Sequence, residues 1–217
     1  MESKKTTASN GKPFDEEFWS MMYGLCIDGI YNSKEHLKYC NAIFNLMRIK
    51  PKSIGDFGFG KATLLKEAIK TFKPDRIIAI EPTEKLVADL LKKKWIIYWN
   101  IEILQETIQS FDISNIVNNP LTFGIFTSTM QYIQDNEVEM VFEKLSKITR
   151  YLYFTVPTIN DYIRMEKQLN FVDEYAYRRS KEFYLEKLKS YFTIVSFNLL
   201  ESKSFKNSHF PEELYRF

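Results

Sequence analysis

Apolar positions along this chain switch between helical spacing and short unbroken runs. Phe14, Phe18, Met21, Met22 and Leu25 recur at helical spacing, with Asp15, Glu16 and Glu17 on the other side. After Gly29, Ser33 can cap a second amphipathic helix with Leu37, Cys40, Phe44 and Met47 along one face. An alternating pattern follows. Lys52–Asp56 reads as a short strand and Lys61–Phe72 as a helix burying Leu64, Leu65, Ala68, Ile69 and Phe72, with Lys73-Pro74 as its stop. Arg76–Ile80 is almost wholly apolar, the mark of a strand covered on both faces. Thr83 caps a helix that buries Leu86, Val87, Leu90 and Leu91. Trp95–Leu104 reads as a third strand, Leu121–Ser128 as a fourth, Asp135–Thr149 as a helix and Tyr151–Val156 as a fifth strand.

The end of the chain breaks this rhythm. The stretch 158–190 is helical, Thr193–Glu201 reads as a strand, Ser204–Pro211 as a loop, and Leu214–Phe217 as a terminal strand. No helix separates the last two strands, so they pair most simply antiparallel. Strand–helix alternation with right-handed crossovers predicts an α/β doubly wound sheet. The expected organisation is a disordered tail over 1–12 and one domain over 13–217. That domain has a helical cap at 13–50 and a core at 51–217 with a helical insertion at 158–190.

Composition narrows the class without naming the chemistry. Of 217 residues, 45% are hydrophobic and 16% aromatic, which supplies a large core and rules out wholesale disorder. Thirty Lys and Arg against 28 Asp and Glu leave a net charge of +2, which argues against nucleic acid as a partner. Cys26 and Cys40 are too few for a disulfide framework and fall in apolar helical patterns, so buried reduced thiols are expected. The first twelve residues carry no apolar signal region, and no run of about 18 apolar residues occurs. The expectation is a cytoplasmic protein without membrane association. Nothing in the pattern sets an oligomeric state.

The glycines do point to chemistry. Asp56-Phe-Gly58-Phe-Gly60 lies between a strand and a helix, where Gly58 and Gly60 permit a tight turn and close backbone approach to a ligand. The third glycine of the dinucleotide fingerprint is missing, and Asp56 would repel a pyrophosphate, so nicotinamide and flavin cofactors are disfavoured. Glu81, followed by Pro82, ends the second strand, where a carboxylate can accept hydrogen bonds from the vicinal hydroxyls of a ribose. Together the two acids describe a site for an adenosine-like ligand without a diphosphate. A plain strand-to-helix junction, with Glu81 as a helix-leading acid, is the bland alternative.

These residues resemble motifs I and II of the class I S-adenosylmethionine-dependent methyltransferases. The resemblance continues along the chain. Ile103-Leu-Gln105-Glu106 is similar to the segment that contacts adenine in that family, and Phe126–Asp135 is similar to the strand-four end and the turn after it. It covers about Pro51 to Phe217 and implies a seven-stranded mixed sheet of the Rossmann-like methyltransferase type with a reversed final strand. The implied cofactor is S-adenosyl-L-methionine, bound by Asp56, Gly58, Gly60, Glu81, Pro82, Gln105 and Glu106. Thr127 and Ser128 face them across the switch point between strands one and four.

The implied reaction is methyl transfer to an oxygen or nitrogen of a small molecule. Many family members carry an acid or polar residue followed by His after strand four, where this chain has Gln131-Tyr132. Tyr132 can orient a substrate hydroxyl or line the methyl channel; equally, it reads as a packed aromatic. The Asn/Asp-Pro-Pro-Tyr/Phe motif of the family's nucleic-acid amine methylators is absent, and no Cys/His cluster suggests a metal. His209 is a second catalytic candidate, and His36 a further one; a solvent-facing histidine is the simpler reading of both. Tyr23, Tyr31 and Arg178 are candidates for the substrate side, the arginines of 161–191 suiting an acidic group. A cap cemented to the sheet and a solvated helical face are the corresponding bland readings. A cofactor-binding scaffold and a protein methyltransferase remain the rival functions.

Overall fold

The structure is a computed structural model that describes Phe18 and residues 33–205. After α1 (Ser33–Leu46) come β1 (Ser53–Phe57), α2 (Thr63–Phe72), β2 (Arg76–Ile80), α3 (Glu84–Leu91) and β3 (Ile101–Leu104). Next come α4 (Ser114–Val117), β4 (Leu121–Thr127), α5 (Val138–Ile148) and β5 (Thr149–Thr155). The chain closes through α6 (Ile159–Leu169), α7 (Lys181–Leu188), β6 (Phe192–Ser196) and β7 (Leu199–Ser202). The strands form one seven-stranded sheet in the order β3-β2-β1-β4-β5-β7-β6. β1 to β5 run parallel, and β7 is antiparallel to both β5 and β6. This is the doubly wound mixed sheet that the alternation and the resemblance predicted.

The apolar run of β2 shows why such a strand belongs at the centre. Ile77 and Ala79 face a core shared with α2 and α3, while Ile78 and Ile80 face the opposite core with Phe142 and Leu145 of α5. Helix α1 lays Leu37, Cys40 and Phe44 on the first of these faces, over Phe123 and Ile125 of β4 and Tyr151 and Tyr153 of β5. Cys40 is therefore a buried free thiol, as its place in the pattern predicted. Lys73 ends α2 in the left-handed region at φ 48°, its N–H bonded to Ile69 O, immediately before Pro74.

Two strand boundaries differ from the sequence expectation. The third strand is only Ile101–Leu104; Lys94–Tyr98 forms a 3-10 turn instead. Its partner β2 has five residues, and pairing runs only from Ile77–Ile101 to Ile80–Leu104, so no ladder exists for Trp95–Asn100 to join. The stretch Thr193–Glu201 is not one strand but a hairpin. Ser196 pairs with Leu199, and Phe197 takes the left-handed conformation at φ 34° in the two-residue turn. The antiparallel pair at the sheet's end is thus β6 with β7. The strand expected at Leu214–Phe217, the first cap helix apart from Phe18, and Cys26 lie outside the described residues. The helical stretch 158–190 is two helices joined by a loop at 170–180. Among the described residues no helix is long and apolar enough to cross a membrane.

Candidate cofactor and acceptor site

The sheet order reverses between β1 and β4, and the loops at their carboxyl ends form the crevice where ligands of such sheets bind. Asp56 pairs in register with Ile125, which sets Gly58 beside the end of β4. Gly58 lies at φ 99° and Gly60 at φ 52°, both left-handed, and Ala62 at φ 59° precedes α2 without a side-chain cap. The N–H groups of Gly58 and Phe59 donate to Ile80 O at 2.7 and 3.2 Å, folding the turn over the end of β2. A Cβ on Gly58 would stand 2.5 Å from Thr129 Oγ1, so the glycine is required by space as well as by dihedral.

Glu81 locks this turn from beneath. Its Oε2 accepts from Gly60 N–H at 3.1 Å and its Oε1 from Thr83 N–H at 3.1 Å, and the Thr83 hydroxyl also bonds the carboxylate. Thr83 stands at the N-cap position of α3, but its hydroxyl serves Glu81 instead of the helix N–H groups. Asp56 and Glu81 are both 3% exposed. Burial pushes Asp56 up to about 8, with the charge of Glu81 adding to the effect, and burial likewise raises Glu81 against its hydrogen bonds.

β4 ends in strain. Ser128 is held at φ 50°, its N–H bonded to Thr155 O at 2.9 Å, and Thr129 Oγ1 donates to Thr127 O at 3.1 Å. A non-glycine residue in this region costs about 1–3 kcal/mol and marks a site where geometry is imposed by its surroundings. Gln105 and Glu106 follow β3, whose Leu104 O accepts from Glu81 N–H at 3.1 Å. Glu106 lines a cleft of about 170 Å³ together with Arg76, Glu102, Leu104, Phe111 and Asp112.

The turn after β4 is fastened to the insertion. Arg179, 5% exposed, donates through Nε to Asp135 Oδ1 at 2.8 Å, through Nη1 to Met130 O at 3.1 Å, and through Nη2 to Ile133 O. Its plane lies against the rings of Tyr177 and Phe183, 4.7 and 5.1 Å from their centroids. Tyr177 N–H also donates to Gln131 O at 2.8 Å. Tyr132 donates to Asp173 Oδ2 at 3.0 Å and meets the Phe18 ring edge-on at 5.5 Å. Burial, then the charge of Asp173, holds the Tyr132 hydroxyl well above the usual phenol range.

Asp56, Gly58, Gly60, Glu81, Pro82, Thr127 and Ser128 thus gather at the carboxyl ends of β1, β2 and β4, with Tyr132 further along the turn after β4. Arg178 stands apart, ion-paired with Glu166 at 2.5 Å and lying over Tyr162. Arg179 is committed to Asp135 and two carbonyls. His36 is half-buried and bonds the Tyr153 hydroxyl under α1. Tyr23, Tyr31 and His209 lie outside the described residues. Sequence reasoning missed Thr129, Asp173 and the part Arg179 plays, all polar residues in polar stretches; only their nearness to the Gly-rich turn and to Tyr132 in space singles them out.

No protein-family model and no curated protein matches this sequence. Solved structures do match. An S-adenosylmethionine-dependent methyltransferase from Clostridium acetobutylicum ATCC 824 superposes with a TM-score of 0.62 at 11% identity, covering 80% of this chain and 85% of that one. Magnesium protoporphyrin IX methyltransferase from Synechocystis PCC 6803, solved with bound SAH, gives 0.60 at 14% identity over 87% and 95%. The plantazolicin methyltransferase BpumL in complex with SAH gives 0.60 at 12% identity; the match covers 80% of this chain and 63% of the longer BpumL. The sheet order, the reversed strand at its end and these superpositions together establish that the chain has the fold of the S-adenosylmethionine-dependent methyltransferases.

Proposed function

We propose that this chain is an S-adenosylmethionine-dependent methyltransferase that methylates an oxygen or nitrogen of a small molecule. The observation that carries the reading is the meeting, at one switch point, of a left-handed glycine turn with two buried carboxylates. The turn suits the group. Gly58 and Gly60 hold the turn in the left-handed region at the mouth of the crevice, and Asp56 is a carboxyl that a cationic ammonium or sulfonium would favour in its ionised form. Glu81 still has acceptor capacity for a ribose hydroxyl, since a carboxylate offers about four lone-pair sites and three bonds are in use.

S-adenosylmethionine supplies a methyl on a positively charged sulfur, which leaves as a neutral thioether. The protein therefore needs no general acid. What these residues contribute is alignment and exclusion of water, worth about 7–11 kcal/mol in favourable cases. Ser128 and Thr129 fix the floor between the Gly58 turn and the turn bearing Tyr132. Tyr132 keeps its proton on Asp173 and is held above the ordinary phenol range, so it orients a partner and does not act as a base. The likeness to a methyltransferase of magnesium protoporphyrin IX supports a small-molecule acceptor.

Isothermal calorimetry with S-adenosylhomocysteine tests the reading: one site per chain is expected, and no heat of binding at millimolar ligand overturns it. Binding without transfer to any member of a broad acceptor panel would instead favour a cofactor-binding scaffold.

A further inference from the structure

Beside β3, at one edge of the sheet, the 3-10 turn Lys94–Tyr98 carries apolar side chains out of the fold. Trp95, Ile96 and Trp99 lean on the core of Ile77 and Ala79 and hold the turn to the protein. Ile97 and Tyr98 are instead 84% and 83% exposed, and Leu91, the last residue of α3, is 60% exposed. Single exposed apolar side chains are ordinary, but these three lie in one short stretch of chain. With about three residues per turn, Ile97 shares a side of the turn with Lys94.

Cations gather around this apolar tip. Lys92, Lys93 and Lys94 follow α3 directly. Lys66 Nζ of α2 lies over the Trp95 ring at 5.9 Å, and Lys93 Nζ donates to Lys61 O at 2.7 Å. Burial, then the charge of Lys66, draws Lys93 below the usual ammonium range, and Lys61 adds to this against the pull of Asp89. A helix end attracts cations through its dipole, yet Lys61 and Lys66 come from the glycine turn and α2 and crowd the same place. Asp89 lies 3.3 Å from Lys92 in a pair exposed on both sides, which neutralises little.

An occupant of this surface has to meet both its apolar tip and its charge. A second copy docked face to face would set these lysines against their own kind. Single-stranded nucleic acid stacks its bases on flat rings, but Trp95 and Trp99 are half-buried against the core, and Leu91 and Ile97 have no flat face. An anionic bilayer suits both features. Aliphatic and aromatic tips enter the boundary between headgroups and acyl chains, and lysines beside them meet the headgroup charge.

We propose that Leu91, Ile97 and Tyr98, flanked by Lys66, Lys92 and Lys94, dock this protein on an anionic lipid surface. The contact is peripheral and needs no spanning helix. Lys93 bonds the carbonyl of the residue after Gly60, so the docked face lies one lysine side chain away from the glycine turn. Docking does not depend on the methyltransferase reading.

Co-sedimentation of the full chain with lipid vesicles tests it. Vesicles of phosphatidylcholine with about 30 mol% phosphatidylserine should bind the chain at least about tenfold more tightly than phosphatidylcholine alone, and about 0.5 M salt should remove most of that difference. Ile97→Ser should weaken binding at least about fivefold, and Lys92→Ala with Lys94→Ala at least about tenfold, each lysine near such a surface being worth about fivefold. These side chains are exposed, so the variants should melt within about two degrees of wild type. Lys167→Ala with Lys181→Ala removes the same charge from exposed positions elsewhere and should leave binding within about twofold. Equal binding to uncharged vesicles, an equal loss in the Lys167 and Lys181 control, or binding unmoved by Ile97→Ser overturns the proposal. Tighter binding of a single-stranded RNA oligomer than of the anionic vesicles also overturns it and makes the patch a nucleic-acid surface.

Discussion

Thr129 and Gly58 touch across the head of the sheet: a Cβ on Gly58 would meet Thr129 Oγ1 at 2.5 Å. Thr129 is β-branched, and its hydroxyl is tied to Thr127 O, so it cannot swing aside freely. Gly58→Ala adds this clash to a φ of 99° that L-residues resist. The expected cost is about 2 kcal/mol or more, a fall in melting temperature of several degrees, and at least tenfold weaker binding of S-adenosylhomocysteine. Thr129→Ala in the same chain relieves the clash alone. Melts and calorimetry on both chains should therefore show partial recovery; full recovery would mean that the dihedral does not matter.

Glu81 joins Gly60 to Thr83, so its loss should loosen the turn as well as remove a ligand contact. Glu81→Ala leaves two backbone N–H groups without their acceptor, and affinity for S-adenosylhomocysteine should drop at least tenfold. Glu81→Gln keeps one oxygen and should fall between wild type and Ala. Unchanged affinity in both variants would detach Glu81 from the site.

The proton on Asp56 has a consequence for stability. Its value in the folded chain is raised to about 8, whereas an unfolded Asp titrates near about 3.9. Between those values the folded state holds a proton that the unfolded state has released, so this group makes stability fall as pH rises and level off above the folded value. Asp56→Asn removes the effect. Its melting temperature should exceed that of wild type by a margin that widens from pH 5 to pH 8, while binding of S-adenosylhomocysteine weakens at least tenfold. In wild type, a cationic cofactor favours the ionised carboxylate, so S-adenosylmethionine should bind more tightly as pH rises towards 8. A flat profile would show that Asp56 keeps its proton on binding.

Arg179→Ala should cost about 3 kcal/mol in urea unfolding, because the Met130 and Ile133 carbonyls lose their donors inside the protein. Arg179→Lys keeps the charge but not the planar fork and should recover only part of the loss. Full recovery by Lys would make charge, not geometry, the operative feature.

Cys40 should be inert in the native protein. It is fully buried and its thiol is pushed up to about 12, so little thiolate is present at pH 8. Peptide mapping after brief iodoacetamide treatment should find Cys40 modified only when denaturant is added. Rapid native labelling would show that α1 leaves the sheet readily.

The centre of the sheet was readable because burial on both faces writes itself as unbroken apolar runs, as in Arg76–Ile80. The glycine turn was readable because its dihedrals admit few other residues. Trp95–Tyr98 misled because an apolar, aromatic run suits a strand equally well, and whether it becomes one depends on the length of β2, which is not a local property. The Phe197 turn carries no glycine or proline, and Asn198 alone, beside a bulky Phe at positive φ, is a weak mark of it. Asp173 and Arg179 sit among Glu174, Arg178 and Lys181, and composition cannot say which of these the fold draws inward. That selection is made by carbonyls and a hydroxyl supplied from 41 to 49 residues away.

Arg179 grips main-chain oxygens at Met130 and Ile133, which every amino acid possesses. The course of the backbone there is consequently set by atoms that no substitution removes, while Met130 and Ile133 anchor the same turn in the core. It behaves as a mould clamped from two sides, independently of the half of the molecule that Glu81 and the glycines hold.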